Sequence, residues 1–375
     1  MSIRLFLEQS ITRSYPFSSW WKNGIAVVIC ILFIPFSWLY SLVVFSRNTL
    51  YDLRWLKPKI LPSQVISVGN ITVGGTGKTP HVVYLAKFLD QKGFRVAVLT
   101  AGYRSKSNKQ VVVVSDDTPV SVCGDEALMI YRQLTADQSQ KSRNVPVLSC
   151  RNRYQSGLQA VHQFGSEVLI VDDGFQHRQL ERMIDIVLIK SGNHLAPKLL
   201  PAGAFREPLS SLGRADIIIQ SSPTKLESTD NLDTNQPVFN SYYRAIRLYP
   251  IHAPERQINI DEIKGARVFA FCGIGNPSGF SKLVQNLDPS NFSLMIFSDH
   301  HQYDMTDLQR IHQASVSFGA DLIITTEKDQ PKITTWNNQP NIYAVSVEPV
   351  IPEAFGLLVD TLLRKGIGET KASME

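Results

Sequence analysis

Cysteine is scarce in this chain, and its few copies lie far apart. The sequence of 375 residues contains four cysteines: Cys30, Cys123, Cys150 and Cys272. No two of them are spaced like zinc ligands, and the set is not the dense disulfide framework of a small secreted domain. We therefore expect buried, reduced thiols and a cytosolic, reducing location.

The chain also lacks a strong excess of charge. Lysine and arginine number 38 against 33 aspartates and glutamates, which gives a formal net charge of +5. This charge fits an anionic substrate or a membrane surface and is too small to argue for a nucleic-acid partner. There is no internal repeat or low-complexity tract, and the length predicts two ordinary domains or one large α/β domain with additions.

One apolar run is present near the N-terminus, at Ile25–Phe45. A helix of this length would measure roughly 30 Å, enough to cross the hydrocarbon core of a bilayer. Tryptophans precede the run and basic residues follow it, as at a membrane interface. These flanking residues are Trp20, Trp21, Arg47, Arg54, Lys57 and Lys59. We predict that residues 1–46 anchor the chain in a membrane, with the C-terminal body on the cytoplasmic side.

Two other interpretations of the apolar run compete with the anchor. A cleaved signal peptide is disfavoured, because no small-residue cleavage site follows and the chain turns basic at once. A helix buried in the core stays open as an alternative. Pro35 could bend an anchoring helix, so the run does not decide between spanning the bilayer and lying in one leaflet.

The most informative stretch is Val65–Pro80, which predicts a phosphate-binding loop. Val65–Val68 is typical of a buried strand, a glycine-rich turn follows, and Lys78 and Thr79 open a segment with helical apolar spacing. Backbone N–H groups of such a turn can surround phosphate oxygens. Lys78 would reach the β- and γ-phosphates, and the Thr79 hydroxyl would ligate Mg²⁺. The nucleotide-binding set predicted here is Thr72, Val73, Gly74, Gly75, Thr76, Gly77, Lys78 and Thr79.

Strand-like and helix-like segments alternate beyond this loop, and the segments predicted as strands are 95–99, 111–114, 168–171, 184–189, 217–219, 267–272 and 321–326. The alternation predicts an α/β fold with a doubly wound, mainly parallel sheet, in which ligands bind at the carboxyl ends of the strands. The polar stretch Ser221–Gln236 suggests a boundary, and a second α/β pattern follows it. We therefore predict a P-loop domain at residues 47–235 and a smaller C-terminal α/β domain at residues 236–375.

Several acidic residues and histidines are candidates for the chemistry. Asp172 and Asp173 follow the apolar segment Val168–Val171, as in a Walker B element whose aspartate holds Mg²⁺. Asp172 is the first choice of ligand, and Asp173 could share or replace that role. Asp125, at a predicted helix start, and His300, in a segment with two adjacent histidines, could orient or deprotonate an acceptor hydroxyl. Asp125 could equally be a helix N-cap with a purely structural role.

Five arginines stand in turn-like contexts where they could bind phosphate or carboxylate groups. For each one taken alone, a surface role is the simpler interpretation. They are Arg104, Arg151, Arg153, Arg178 and Arg206.

In combination these motifs resemble the tetraacyldisaccharide 4'-kinase family, the lipid A 4'-kinases. The resemblance covers nearly the whole chain and includes the threonine at position 72, where a strict P-loop has glycine. It is carried by Val68–Pro80, Gly124-Asp125-Glu126, Asp172–His177, Leu199–Gly203, Arg206–Leu209, Asp299-His300-His301 and Thr326–Asp329. One segment departs from the family: Thr100-Ala101-Gly102-Tyr103-Arg104 lacks the arginine that usually precedes the glycine, so no role is carried over to Arg104.

The resemblance implies a kinase on the cytoplasmic face of the inner membrane that uses ATP and Mg²⁺. It would phosphorylate the 4'-hydroxyl of a lipid A disaccharide precursor, and no obligate protein partner is inferred. Asp125 becomes the expected base, assisted by His300, with His301 as the fallback, and Lys78 acts on the phosphates. Glu126 would lie near Mg²⁺ with Thr79 and Asp172. Two alternatives are a membrane-tethered P-loop NTPase that acts as a switch or assembly factor, and a soluble small-molecule kinase.

Overall fold

The structure is a computed structural model that describes residues 20–102, 110–135, 145–191, 198–225, 232–254, 256–333 and 341–372. Side chains are described from residue 33 to residue 366 within these ranges. Tyr103 and Arg104, together with residues 1–19 of the predicted anchor, therefore lie outside the described residues.

Twelve strands in the described ranges form one sheet. The strands are β1 (Gln64–Asn70), β2 (Val96–Thr100), β3 (Val112–Val113), β4 (Val147–Ser149), β5 (Val168–Asp172), β6 (Ile184–Lys190), β7 (Ile217–Ser222), β8 (Val238–Pro250), β9 (Arg267–Cys272), β10 (Asn291–Ile296), β11 (Leu322–Thr326) and β12 (Ile342–Val350). The helices are α1 (Trp20–Asp52), α2 (Lys78–Gln91), α3 (Val120–Cys123), α4 (Asp125–Thr135), α5 (Arg153–Phe164), α6 (Pro277–Gln285), α7 (Met305–Phe318) and α8 (Glu353–Ala372).

The sheet is mostly parallel, which confirms the predicted fold class at that level. Its strand order is β10-β9-β11-β12-β8-β7-β6-β1-β5-β2-β4-β3. Two neighbouring pairs are antiparallel, β8 with β12 and β3 with β4. The sheet continues across the predicted domain boundary at residues 235–236, because β7 and β8 pair in parallel. The division into two domains stays a prediction.

Helices cover both faces of the sheet around β1 and β5. Ile66 and Ile170 face a core shared with α2, α4 and α8, whereas Val65 and Leu169 face a second core shared with α5. Alternate residues of a strand point to opposite faces, and apolar residues at every position therefore require cover on both sides. This is why the run Val168–Val171 is fully buried.

Three of the four cysteines can be compared with the prediction. Cys123, Cys150 and Cys272 are free and buried, as expected. The side chain of Cys30 lies outside the described residues.

The apolar run near the N-terminus is helical and belongs to α1, which contains Pro35. Over residues 36–45 one face of α1 packs against the protein through Ser37 and Val44, while Trp38 and Phe45 are 73% and 68% exposed. The alternative of a helix buried on all sides therefore does not fit this part of the run. As far as side chains are described, none of the helices reaches the length and apolar character needed to cross a membrane.

Candidate active site

The predicted phosphate-binding loop lies between β1 and α2, at the carboxyl edge of the sheet. Gly77, which directly precedes α2, has a φ of 77°. A β-carbon at this position would lie 1.5 Å from the hydroxyl oxygen of Tyr243. Both the left-handed backbone and the close approach of Tyr243 therefore require glycine. The strand–loop–helix context predicted from the sequence is confirmed.

Side chains from three strands hold the loop in place through Thr76. The Thr76 carbonyl accepts hydrogen bonds from the Tyr243 hydroxyl at 3.2 Å and the Ser221 hydroxyl at 3.1 Å. Its own hydroxyl oxygen accepts one from Asn70 Nδ2 at 2.8 Å. The sequence analysis did not predict that Tyr243 and Ser221 contact the loop, because neither belongs to a recognisable motif.

His81, one turn into α2, is a further support of the loop. Its Nδ1 lies 2.8 Å from the Gly77 carbonyl and its Nε2 lies 2.9 Å from Ser241 Oγ. A carbonyl oxygen can only accept, so Nδ1 donates and Nε2 accepts from the hydroxyl. Burial lowers the pKa of His81 to about 4, which keeps the ring neutral.

The predicted nucleotide-binding residues differ in exposure. Val73, Gly74 and Gly75 are exposed, whereas Thr72 and Thr76 are buried and Gly77, Lys78 and Thr79 are half-buried. The Val73 N–H donates to the Ala204 carbonyl at 2.7 Å, so the start of the loop is tied to the chain around residue 204. The exposed glycines and the N-terminal end of α2 remain available to an anion.

Asp173 is the partner of two cations at the end of β5. Lys78 Nζ lies 3.4 Å from its Oδ1, and Arg206 Nη1 lies 3.0 and 2.9 Å from its two carboxylate oxygens. Partial burial alone would raise the pKa of Asp173, but Lys78 and Arg206 outweigh burial and hold the pKa below its usual range. Asp173 also has a left-handed φ of 52°, an unusual conformation for a residue with a side chain.

Asp172, its neighbour, is in the opposite electrostatic situation. The side chain is buried, and its Oδ1 has no hydrogen-bond partner among the residues that the structure describes. Burial, together with the charges of Glu126 and Asp173, raises the pKa of Asp172 to about 7. An unpartnered carboxylate oxygen beside other negative charges is a position that a cation would stabilise.

The side chains that the sequence analysis assigned to Mg²⁺ are Thr79, Glu126 and Asp172. Across the described part of the chain, no group of three or more His, Cys, Asp or Glu side chains forms a metal cage. Mg²⁺ is commonly held by one or two carboxylates together with nucleotide phosphates and water, and such a site needs no cage.

Asp125 meets His300 across the molecule. Asp125 is the first residue of α4, and its Oδ2 lies 2.8 Å from His300 Nδ1. Burial raises the pKa of Asp125, but the bond from His300 and the charge of Lys328 outweigh it and bring the pKa to about 2. Asp125 is therefore an ionised carboxylate held by an imidazole, which is more than a helix cap requires.

The structure also separates the two adjacent histidines. His300 has a φ of 58° and points its ring at Asp125, whereas His301 Nε2 lies 2.6 Å from Asp307 Oδ2 and its ring stacks on Phe297. His301, the fallback of the sequence analysis, thus lies in a different set of contacts. A non-glycine residue with a left-handed φ costs free energy and is often found at functional sites.

The candidate arginines divide between several places. Arg206 binds Asp173, and buried Arg153 donates from Nη2 to the Asp172 carbonyl at 3.1 Å. Arg178 pairs with Asp52 at the end of α1, and Arg151 is exposed. Two of the four described arginines therefore reach the paired aspartates.

Helix α1 is attached to the same region through the chain around Arg206. The Tyr40 hydroxyl donates to the Arg206 carbonyl at 2.9 Å. The fully buried Glu207 accepts from Arg47 at 3.0 Å and from Arg214 at 2.6 Å. The helix that the sequence predicts as an anchor is therefore in direct contact with both Arg206 and Glu207. The amino-acid composition of the apolar run did not predict this contact between α1 and the chain around Arg206.

Comparison with known proteins gives one consistent result. A family model described as tetraacyldisaccharide-1-P 4'-kinase matches residues 29–364. The tetraacyldisaccharide 4'-kinase of Syntrophus aciditrophicus is 37% identical over 321 residues, which cover 80% of this chain and 83% of that protein. The protein of the same name from Aquifex aeolicus is 36% identical over 310 residues, covering 81% and 90%.

A solved structure shows the same likeness in three dimensions. It is the "apo" form of LpxK from Aquifex aeolicus in complex with ATP, which matches with a TM-score of 0.70 and 32% identity. The match covers 89% of this chain and 99% of that one. The fold is therefore shared over most of this chain and nearly all of that one.

Proposed function

The chain belongs to the tetraacyldisaccharide-1-P 4'-kinase family, and from that premise we propose that it transfers the γ-phosphate of ATP to the 4'-hydroxyl of a tetraacyldisaccharide 1-phosphate, a step of lipid A biosynthesis. The observation that carries the proposal is the pairing of Asp125 with His300 beside the P-loop. A β-carbon on Gly275 would lie 3.0 Å from the P-loop nitrogen of Gly75 and 3.4 Å from Oδ2 of Asp299, the neighbour of His300. A hydroxyl-orienting pair and a triphosphate site are thus adjacent.

The P-loop residues would bind and orient the triphosphate. Phosphoryl transfer needs positioning and charge neutralisation more than covalent chemistry from the protein. Lys78, now 3.4 Å from Asp173 Oδ1, stands where it can exchange that carboxylate for phosphate oxygens. Arg206, on the same carboxylate, would keep Asp173 neutralised when Lys78 turns to the nucleotide.

Asp125 would hold the acceptor hydroxyl. Its carboxylate stays ionised over the physiological range, because its pKa lies near 2, and it can accept a hydrogen bond from the 4'-hydroxyl. The imidazole of His300 fixes the direction of the carboxylate through Oδ2. As the phosphoryl group arrives, the hydroxyl proton passes to Asp125, in the role that an aspartate has in other kinases.

Thr79, Asp172 and Glu126 are proposed to hold Mg²⁺ together with the nucleotide. The support is the unpartnered, buried Oδ1 of Asp172 beside the charge of Glu126. When bound, the ion would neutralise charge on the transferring phosphoryl group. Asp173, already paired with Lys78 and Arg206, is less available as a ligand.

The exposed apolar face of α1 and the chain after it are proposed to lie against the inner membrane. Trp38, Phe45, Trp55 and Ile60 are each more than half exposed. Exposed lysines, among them Lys59, stand beside this face, and anionic lipid surfaces attract such residues. An acylated substrate stays in the bilayer, so the enzyme has to dock there to reach the disaccharide on the cytoplasmic side.

The test is a transfer assay with γ-labelled ATP and a tetraacyldisaccharide 1-phosphate dispersed in detergent. We expect label in the lipid product, and no labelled lipid with an acceptor that lacks the 4'-hydroxyl. Label that appears only as free phosphate would instead indicate an NTPase. Deletion of residues 1–46 tests the membrane part: full activity and full solubility of that variant would contradict docking through α1.

A further inference from the structure

Lys328, which follows β11, makes a contact that the proposed reaction has not used. Its Nζ lies 3.2 Å from Nε2 of His300 and 3.4 Å from Oδ1 of Asp299. The side chain is 24% exposed, so its ammonium is partly shielded from water. The imidazole of His300 thus has a carboxylate on one nitrogen and an ammonium on the other.

This arrangement determines which nitrogen of His300 carries the hydrogen. An ammonium group has three donors and no lone pair, so Lys328 can only donate to Nε2. Nε2 must then be the unprotonated nitrogen, and Nδ1 carries the hydrogen and donates to Asp125 Oδ2 at 2.8 Å. The nearest carboxylate oxygen of Asp299 lies 3.9 Å from Nε2, too far to accept a hydrogen bond from it.

A buried network behind Lys328 holds it in this position. Asp329, which is fully buried, accepts from Thr326 Oγ1 at 2.7 Å and lies 3.4 Å from the ammonium of buried Lys332. The Gly273 N–H also donates to Asp329 at 3.0 Å. The Gly273 carbonyl in turn accepts from the His300 N–H at 3.1 Å. One buried carboxylate therefore sets the backbone positions of both Lys328 and His300.

We propose that Lys328 is a positioning residue for the phosphoryl transfer: by donating to Nε2 it locks His300 in the Nδ1–H form that holds Asp125. The proposal rests on the proposed kinase function. In this form His300 acts as a fixed donor and leaves the acceptor proton to Asp125. The other tautomer would direct the Nδ1 lone pair at the carboxylate and repel it, so the orientation of Asp125 depends on Lys328.

The experiment compares the wild-type chain with Lys328→Met, Lys328→Arg and the control Lys264→Met, which alters an exposed lysine of the same C-terminal part. The first readout is nitrogen NMR of the substrate-free protein labelled in its histidines, with His300→Gln used to assign the signal. The wild type and Lys328→Arg should show His300 with hydrogen on Nδ1. Lys328→Met should lose that signature, and Lys264→Met should keep it.

The second readout is steady-state kinetics. Lys328→Met should lower kcat on the order of 10- to 100-fold, the range seen when a partner that fixes a metal-bound imidazole is removed, while KM for both substrates stays nearly unchanged. Lys328→Arg should restore most of the loss. A KM for the disaccharide 1-phosphate that rises at constant kcat would overturn the proposal and make Lys328 a substrate contact.

The outcomes also separate this proposal from the proposed function. An unchanged His300 signal in Lys328→Met overturns the positioning role, whatever the kinetics. A wild-type protein that shows the Nδ1–H form but transfers no phosphate to the lipid overturns the kinase function and leaves the tautomer assignment standing. If Lys328→Met unfolds, the NMR spectrum and kcat of Lys328→Arg decide, since loss of the Nδ1–H signal there contradicts the proposal.

Discussion

The two halves of the sheet contribute to the site in different ways. We call β1 to β7 with their loops the nucleotide half and β8 to β12 with their loops the acceptor half. In the nucleotide half, Lys78 and Arg206 find their counter-charge in Asp173, within the same half. In the acceptor half, His300 finds its partner in Asp125, across the boundary.

The halves also meet closely at their loops. A β-carbon on Gly275 would lie 3.0 Å from the Gly75 nitrogen in the P-loop, and Lys190 Nζ lies 3.2 Å from Asn276 Oδ1. The residues proposed to bind the phosphates therefore belong to the nucleotide half, with Tyr243 of the acceptor half supporting their loop, whereas the pair proposed to activate the hydroxyl forms where the two halves touch. Variants of each half should consequently fail in different kinetic parameters.

The largest effect is expected from Lys78→Ala in the nucleotide half. Removal of this ammonium leaves phosphate charge without its counter-charge in both the bound and the transition state, so kcat/KM should fall on the order of 10³-fold. Steady-state kinetics at saturating acceptor measure the loss. Lys87→Ala on the same helix is the control. Near-normal turnover of Lys78→Ala would refute the P-loop role.

Asp125→Asn, at the contact between the halves, should have a different kinetic signature. The amide keeps the shape but cannot take the hydroxyl proton, so kcat should fall about 10²-fold while the affinity for ATP changes little. Measured ATP dissociation constants and single-turnover rates separate the two quantities. Asp125 is not the base if kcat is unchanged.

Glu207→Gln tests how much the ion pairs between helix α1 and the nucleotide half contribute to the free energy of unfolding. The variant leaves Arg47 and Arg214 without their buried carboxylate, which should lower the free energy of unfolding by about 2 kcal/mol. Urea unfolding provides the measurement. Glu348→Gln, which removes the partner of Arg244 in an exposed pair, should change it by less than about 0.5 kcal/mol. Equal effects of the two substitutions would contradict the structural role of Glu207.

The smallest effects distinguish the adjacent aspartates at the edge of the nucleotide half. The folded-state pKa of Asp172 is raised to about 7, so ionisation of this carboxyl destabilises the folded state. The resulting loss in the free energy of unfolding grows as the pH rises from the pKa of the carboxyl in the unfolded chain to above its folded-state pKa. Asp172→Asn should raise the melting temperature by a few degrees at about pH 8 and much less at about pH 5. The folded-state pKa of Asp173 is lowered, so its ionised carboxylate stabilises the folded state. Asp173→Asn should therefore lower the melting temperature at pH values above the pKa of this carboxyl in the unfolded chain.

Thermal unfolding without nucleotide and with a chelator checks this pair. Addition of Mg²⁺ and ATP should stabilise the wild type more than Asp172→Asn, because the ion would use the carboxylate that the variant lacks. Shifts of the same sign for both variants would show that the two carboxylates share one environment.

Much of the nucleotide half could be predicted from the sequence. Val65–Thr79 forms a strand, a loop and the start of a helix from contiguous residues, and the paired Asp172 and Asp173 directly end a buried strand. Strands β4, β8, β10 and β12 were missed. Strand β8 contains polar residues such as Ser241 and Arg244, so it has no apolar run that would identify it in the sequence. Its pairing with β12 across the sheet stabilises it instead.

The sequence by itself determined the strand–loop–helix segment at residues 65–79, the fold class and the family, since each depends on residue types within short segments. The tertiary structure decided between His300 and His301, which no local pattern distinguishes. Asp125 lies 175 positions from His300, and the left-handed backbone of His300 turns that ring, and not its neighbour's, toward the carboxylate. The tertiary structure also brought Lys328 to the far nitrogen of the same ring. Contacts between residues so far apart in the chain arise from packing of the whole sheet, so a short motif cannot predict them.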